Sequence, residues 1–213
     1  MKKIIFFIFI VLVACSNEEE EPMLTKGEPE QESIQEEISE KPVEKENLNI
    51  EFSLEEEIIT LNTENIPILE NYLDTVPKTD VAIEKMELTK LEPERLYLLT
   101  FNCQEKTCSN LLLDRNTPNR SFLIDDLVHI KDTIPSTDNS KLLIILEEKQ
   151  VDRFMVFNLA DWTPTKFTTS VTMSDDIRIT SGEWIEEETI HLEYTVIADD
   201  TVNEIELTEE NIN

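Results

Sequence analysis

The chain reads as a mostly β protein with one folded domain, and three observations lead there. From residue 50 onward, short apolar segments recur between clusters of Asn, Asp, Thr and Pro. The first of them, Ile50-Glu51-Phe52-Ser53-Leu54, alternates apolar and polar residues as a half-buried strand does. Only one stretch has helical spacing. Hydrophobic residues make up 39% of the 213, enough for one sizeable core but not for two. The expected form is an open antiparallel β-meander or β-sandwich with one short helix.

Glu64 to Asp74 sets Ile66, Leu69, Tyr72 and Leu73 near helical spacing, and Pro67 suits a first turn. The remainder reads as strand: Val81–Leu91, Leu96–Cys103, Ser109–Asp114, Ser121–Ile124, Lys141–Glu147, Arg153–Leu159, Ile177–Thr180, Thr189–Ile197 and Val202–Leu207. With two glycines in the whole chain, turns fall to other residues. The expected ones are Asn116-Thr117-Pro118-Asn119, Asp125-Asp126, Asp138-Asn139, Thr163-Pro164, Asp175-Asp176 and Asp199-Asp200, where Asn and Asp bond to nearby backbone. Trp162, Trp184, Phe101, Phe154 and Phe157 alternate with apolar neighbours and are expected in the core.

Three stretches share one plan of strand, short polar loop and strand: Leu96–Asp114, Leu142–Leu159 and Ile190–Leu207. They recur 46 and then 48 residues apart, a period in the range of propeller blades. The piece from Pro135 to Ile145 resembles the turn and strand of propellers of the TolB or WD40 type, and Phe154–Leu159 resembles the strand that follows in a blade. At about 40–45 residues per blade, residues 50–213 are too few for a typical closed ring. The resemblance therefore implies an open, blade-like meander. Any antiparallel hairpin series gives the same pattern, so the sandwich stays open beside it.

The beginning of the chain is an address. Lys2 and Lys3 precede an unbroken apolar run from Ile4 to Ala14, too short as a helix to cross roughly 30 Å of hydrocarbon. The run ends in Leu12-Val13-Ala14-Cys15, which resembles the lipobox of bacterial lipoprotein precursors. That resemblance implies a signal peptide over residues 1–14, cut before Cys15, and a diacylglycerol thioether on the Cys15 sulfur. Fatty chains of the palmitate class would then hold the mature protein to the extracytoplasmic face of a cell membrane without spanning it. Ser16 after the cysteine would permit outer-membrane sorting in a cell with two membranes. Residues 15–49 follow as an acidic tether, in which 12 glutamates face Lys26, Lys41 and Lys45, and Pro22, Pro29 and Pro42 interrupt any long helix. Such a composition is expected to be disordered. Residues 50–213 are expected to form the single β-rich domain.

With Cys15 lipidated, Cys103 and Cys108 remain. They flank Gln104-Glu105-Lys106-Thr107 at a hairpin tip, where opposed strand positions suit a disulfide in an oxidising compartment. A redox role is weakened by the spacing of four rather than two, and zinc would need further ligands where only His129 and His191 exist. Both histidines sit in apolar strand contexts and read as ordinary strand residues.

The formal net charge of −29 argues against nucleic acid, which is held by clustered Lys and Arg. Walker loops, dinucleotide turns and nucleophile elbows need glycines that Gly27 and Gly182 alone cannot supply. No catalytic residue, metal ligand or cofactor emerges from the sequence. Two readings of function follow. The first is a lipid-anchored binding or scaffolding module at the cell envelope, with a basic envelope protein as the partner that such charge would steer. The rival is an envelope hydrolase of wall polymer or glycan using two carboxylates.

Overall fold

The computed structural model describes residues 48–116 and 119–210. The expected signal peptide, Cys15 and nearly all of the expected tether lie outside the described residues, as do Thr117 and Pro118 of one expected turn. Strands β1 (Asn49–Ser53) and β2 (Ile58–Asn62) form a hairpin, followed by a 3-10 turn and helices α1 (Pro67–Thr75) and α2 (Thr79–Glu84). Strands β3 (Glu87–Lys90), β4 (Leu96–Gln104), β5 (Thr107–Asp114), β6 (Arg120–Pro135), β7 (Lys141–Glu148), β8 (Val151–Asn158) and β9 (Thr163–Thr165) make a seven-stranded sheet in sequence order. A four-stranded sheet follows, ordered β10-β13-β12-β11, from β10 (Phe167–Thr168), β11 (Ile177–Glu186), β12 (Thr189–Val196) and β13 (Thr201–Glu209). All pairings are antiparallel and no sheet closes on itself.

The seven-stranded sheet is folded on itself at β6. The first half of that strand pairs with β5 and the second with β7, and between them lie register shifts around Asn110 and a positive φ of 53° at Leu127. A bulge of this kind bends a strand and lets it pass from one sheet to another. Alternate side chains then point into different cores. Leu98 and Leu112 meet Leu142, Ile144, Leu146 and Phe157 between the two halves. The opposite face of β4 and β5, with Tyr97, Leu99, Phe101, Leu111 and Leu113, packs on the β1–β2 hairpin and on Leu69 and Leu73 of α1. On the far side Leu143, Ile145 and Val156 meet Ile179, Ile190, Leu192, Ile205 and Leu207 of the four-stranded sheet. The result is four stacked layers, of which the middle two are buried on both faces. That burial explains the unbroken runs Leu96–Leu99, Leu111–Leu113 and Leu142–Leu146, whereas β12 and β13 alternate because one of their faces meets solvent.

Several local expectations need correction. Val81–Leu91 is not one strand: residues 79–84 are α2, whose Ala82 and Ile83 pack on the first core, and only Glu87–Lys90 is extended. The described residues therefore hold two α-helices, where one was expected. Asp125-Asp126 is not a turn but lies inside the 16-residue β6, which runs on through residues 125–135. Its carboxylates are engaged, Asp126 accepting from the Ser109 hydroxyl and Asp125 pairing with Arg153. Thr163-Pro164 belongs to β9, an edge strand in which proline lacks only an N–H that no neighbour would use. Strand β2 had no counterpart in the sequence reading.

Candidate functional site

Cys103 and Cys108 face one another at the β4–β5 tip, their sulfurs 2.09 Å apart and their Cα atoms 4.1 Å apart. A register shift between Phe101 and Gln104, with Asn102 at φ 52°, brings the two cysteines opposite each other. The pair ties off the hairpin, whose neighbouring polar groups are satisfied locally. The buried Asn110 amide donates to the carbonyls of Cys108 (2.7 Å) and Val128 (3.1 Å), bracing β5 and β6 where their register shifts. Beside this bend lies a cleft of about 360 Å³, floored by Leu91, Leu98 and Val128 and rimmed by Lys106, His129 and Asp132.

Buried charges elsewhere join strands rather than line a reaction centre. Arg120 pairs with Asp114 at 2.6 Å, donates to the carbonyls of Leu159 and Ala160, and lies 4.6 Å over the Trp162 ring. Lys131 bonds to Asp152, which also accepts the Ile179 N–H at 2.7 Å. Lys141 bridges Glu209 at 2.9 Å and the Glu187 carbonyl at 3.0 Å.

Among the described residues three carboxylates have displaced pKa values, and all three are lowered. Burial would raise Asp114, but the Asn116 backbone N–H and the Arg120 guanidinium outweigh it. Hydrogen bonds from Lys90 and Tyr97 hold Glu57 down, and that pairing raises Lys90 in turn. Asp138 falls from 3.8 to about 2, because it accepts the Ser136 hydroxyl at 2.7 Å and the Ser140 N–H at 3.0 Å. A glycosidase acid needs a carboxyl held protonated, which is the opposite displacement. Among the described residues no group of three or more His, Cys, Asp or Glu side chains is placed to hold a metal ion. His129 is exposed on β6 and His191 half-buried on β12.

The outer face of the four-stranded sheet gathers charge. Its inward residues belong to the core, so the register puts the alternate positions together on the solvent side. His191 is opposite Glu183 on one neighbour and Glu206 on the other. Glu193 faces Glu204 and accepts from the Ser181 hydroxyl at 2.8 Å, and Glu186 closes the row opposite Thr189. Five glutamates thus share one sheet face, with Arg178 at its far end and Val202, 68% exposed, at its border. Like charges directly opposed cost stability, as at Glu193 and Glu204, whereas His191 stands between Glu183 and Glu206. Its signal in the sequence was the alternation His191, Glu193 and Glu204, Glu206, but which residues meet across strands depends on register.

The structure defines a class, a layered antiparallel β protein, and no more specific identity. No family model matches the chain, and no curated protein sequence and no solved structure shows significant similarity to it. No helix among the described residues is long and apolar enough to cross a membrane.

Proposed function

We propose that this protein is a lipid-anchored, extracytoplasmic binding or scaffolding module at the cell envelope, tethered through Cys15 and engaging a basic envelope protein. One observation carries the reading: the outer face of the terminal sheet gathers Glu183, Glu186, Glu193, Glu204 and Glu206, with Glu193 and Glu204 directly opposed, an unfavourable like-charge pair. A cationic partner relieves that repulsion, and the field of a strongly acidic chain steers such a partner toward it. The sequence Leu12-Val13-Ala14-Cys15 supports the anchor, and the acidic residues that follow support a spacer between lipid and domain.

The test is co-purification from crosslinked envelopes, comparing the full mature chain with a lipidated tether ending at Asn49. Proteins retained only by the full chain and still held at high salt support the module and identify its partner. Equal recovery by both baits, stripped by salt, refutes it. Replacing Cys15 by serine is expected to release the protein from the membrane fraction, and retention there would refute the lipid anchor.

A further inference from the structure

The acidic face ends at a sheet edge, and the two features together point to a way of binding. β13 pairs with β12 through eight consecutive residue pairs without a bulge, but on its other side β10 covers only Thr208 and Glu209. Residues 169–176, which connect β10 to β11, form no strand pairing with it. The parity of the ladder shows which groups are left over. Glu209 donates its N–H to the Glu188 carbonyl, so 209, 207, 205 and 203 direct their backbone groups at β12. Glu210 donates to Lys166 on the opposite side, so the even-numbered residues direct theirs outward. Val202, Glu204 and Glu206 therefore present N–H and C=O groups along an edge that no described strand occupies.

In the two larger sheets, three other edge strands are short or irregular. β3 has four residues and β9 three, one of them Pro164. β11 is longer, but its register slips between Ile179 and Ser181 and again between Trp184 and Glu186. Within these two sheets, β13 beyond the reach of β10 offers a longer regular edge, and it contains neither proline nor lysine.

We propose that the free edge of β13 is a strand-addition site for an extended segment of a partner protein bearing Lys or Arg at alternate positions; this rests on the binding-module reading and states its geometry. Backbone bonds to Val202, Glu204 and Glu206 supply the attachment, as in other cases where a peptide extends a sheet. Side chains of an added strand alternate between faces, so every second one lies beside Glu204 and Glu206 on the solvent side. That register selects cationic residues there. Pairing with a second copy of this chain is disfavoured where it centres on Glu204, since antiparallel pairing of two β13 edges there sets that carboxylate against its own counterpart.

The experiment uses the full mature chain, isotope-labelled in detergent micelles, and three synthetic peptides. One alternates lysine with valine, one is the same peptide N-methylated at every second backbone amide, and one alternates glutamate with valine. Amide exchange at Val202, Glu204 and Glu206 is expected to slow about tenfold with the lysine peptide, matching bonds formed at those groups. The methylated peptide keeps the charge but loses the bonds, and is expected to leave exchange there unchanged. In the chain carrying Glu204→Lys and Glu206→Lys, the glutamate peptide should replace the lysine peptide as the one that protects. Equal binding of the methylated and unmethylated peptides overturns the proposal, as does protection elsewhere or no binding at all. Envelope capture separates the two levels. A partner retained at high salt by the doubly substituted chain overturns the edge while the module stands. Protection at β13 without any envelope partner upholds the edge and refutes the module.

Discussion

Replacing Asp152 by alanine is expected to loosen the contact between the third and fourth layers. Asp152 is on β8 with its side chain 1% exposed, and it accepts both the Lys131 ammonium of β6 and the Ile179 N–H of β11. Lys131 also donates to the Ile179 carbonyl at 3.1 Å, so one carboxylate and one ammonium hold the backbone of the β11 edge residue. Removing a partner from a fully buried ion pair costs about 3–5 kcal/mol. Here the Lys131 side chain is 30% exposed and regains water, which lowers that figure. The Ile179 N–H has no such recourse, because Ile179 is 3% exposed, and a stranded buried donor costs about 1–3 kcal/mol. Together these give about 3 kcal/mol for Asp152→Ala. Asp152→Asn keeps an acceptor for Ile179 and loses only the charge, so about 1 kcal/mol is expected. Urea unfolding followed by the fluorescence of Trp162 and Trp184 reads both, and for a domain of this size about 3 kcal/mol corresponds to roughly 6–12 °C in Tm. If the two variants cost the same, or alanine costs under about 0.5 kcal/mol, the capping of Ile179 is not what stabilises this contact.

Three further outcomes follow from single sites. A Cβ on Gly182 would stand 3.0 Å from the Leu143 and Leu192 methyls, so Gly182→Ala should cost about 1–3 kcal/mol and Gly182→Val more, measured by urea midpoint. Reduction of the Cys103–Cys108 pair, or Cys103→Ser with Cys108→Ser, frees a short loop and should cost about 2 kcal/mol in the same assay. Asp138 has a folded pKa of about 2, below the ordinary aspartate value, so its contribution to stability is present above about pH 4 and lost as pH falls through 2. NMR titration of its carboxyl should place the midpoint near 2, and Ser136→Ala should move it upward; an unchanged midpoint would show that the Ser136 hydroxyl is not the cause.

What could be read in advance depended on how local the deciding contact is. The hairpins β4–β5, β7–β8 and β12–β13 were legible because each strand meets the next a few residues later, and they coincide with the three repeated stretches. The cysteine pair was legible for the same reason, since its separation is five residues. Val81-Ala82-Ile83 was misread because three apolar residues suit strand and helix alike, and packing on the first core selects α2. Asp125-Asp126 was misread because aspartate usually marks a turn, whereas here Ser109 and Arg153 engage the pair within a strand.

By itself, then, the sequence determined the β-rich class, the acidic charge and the position of the cysteine hairpin, all properties of composition and near neighbours. Tertiary structure alone decided that β6 folds one sheet back on itself, that Asp152 reaches Ile179, and that His191 lies between Glu183 and Glu206. Each of these joins residues from different strands, and strand register is set by which side chains reach the core together, a choice that no single segment contains.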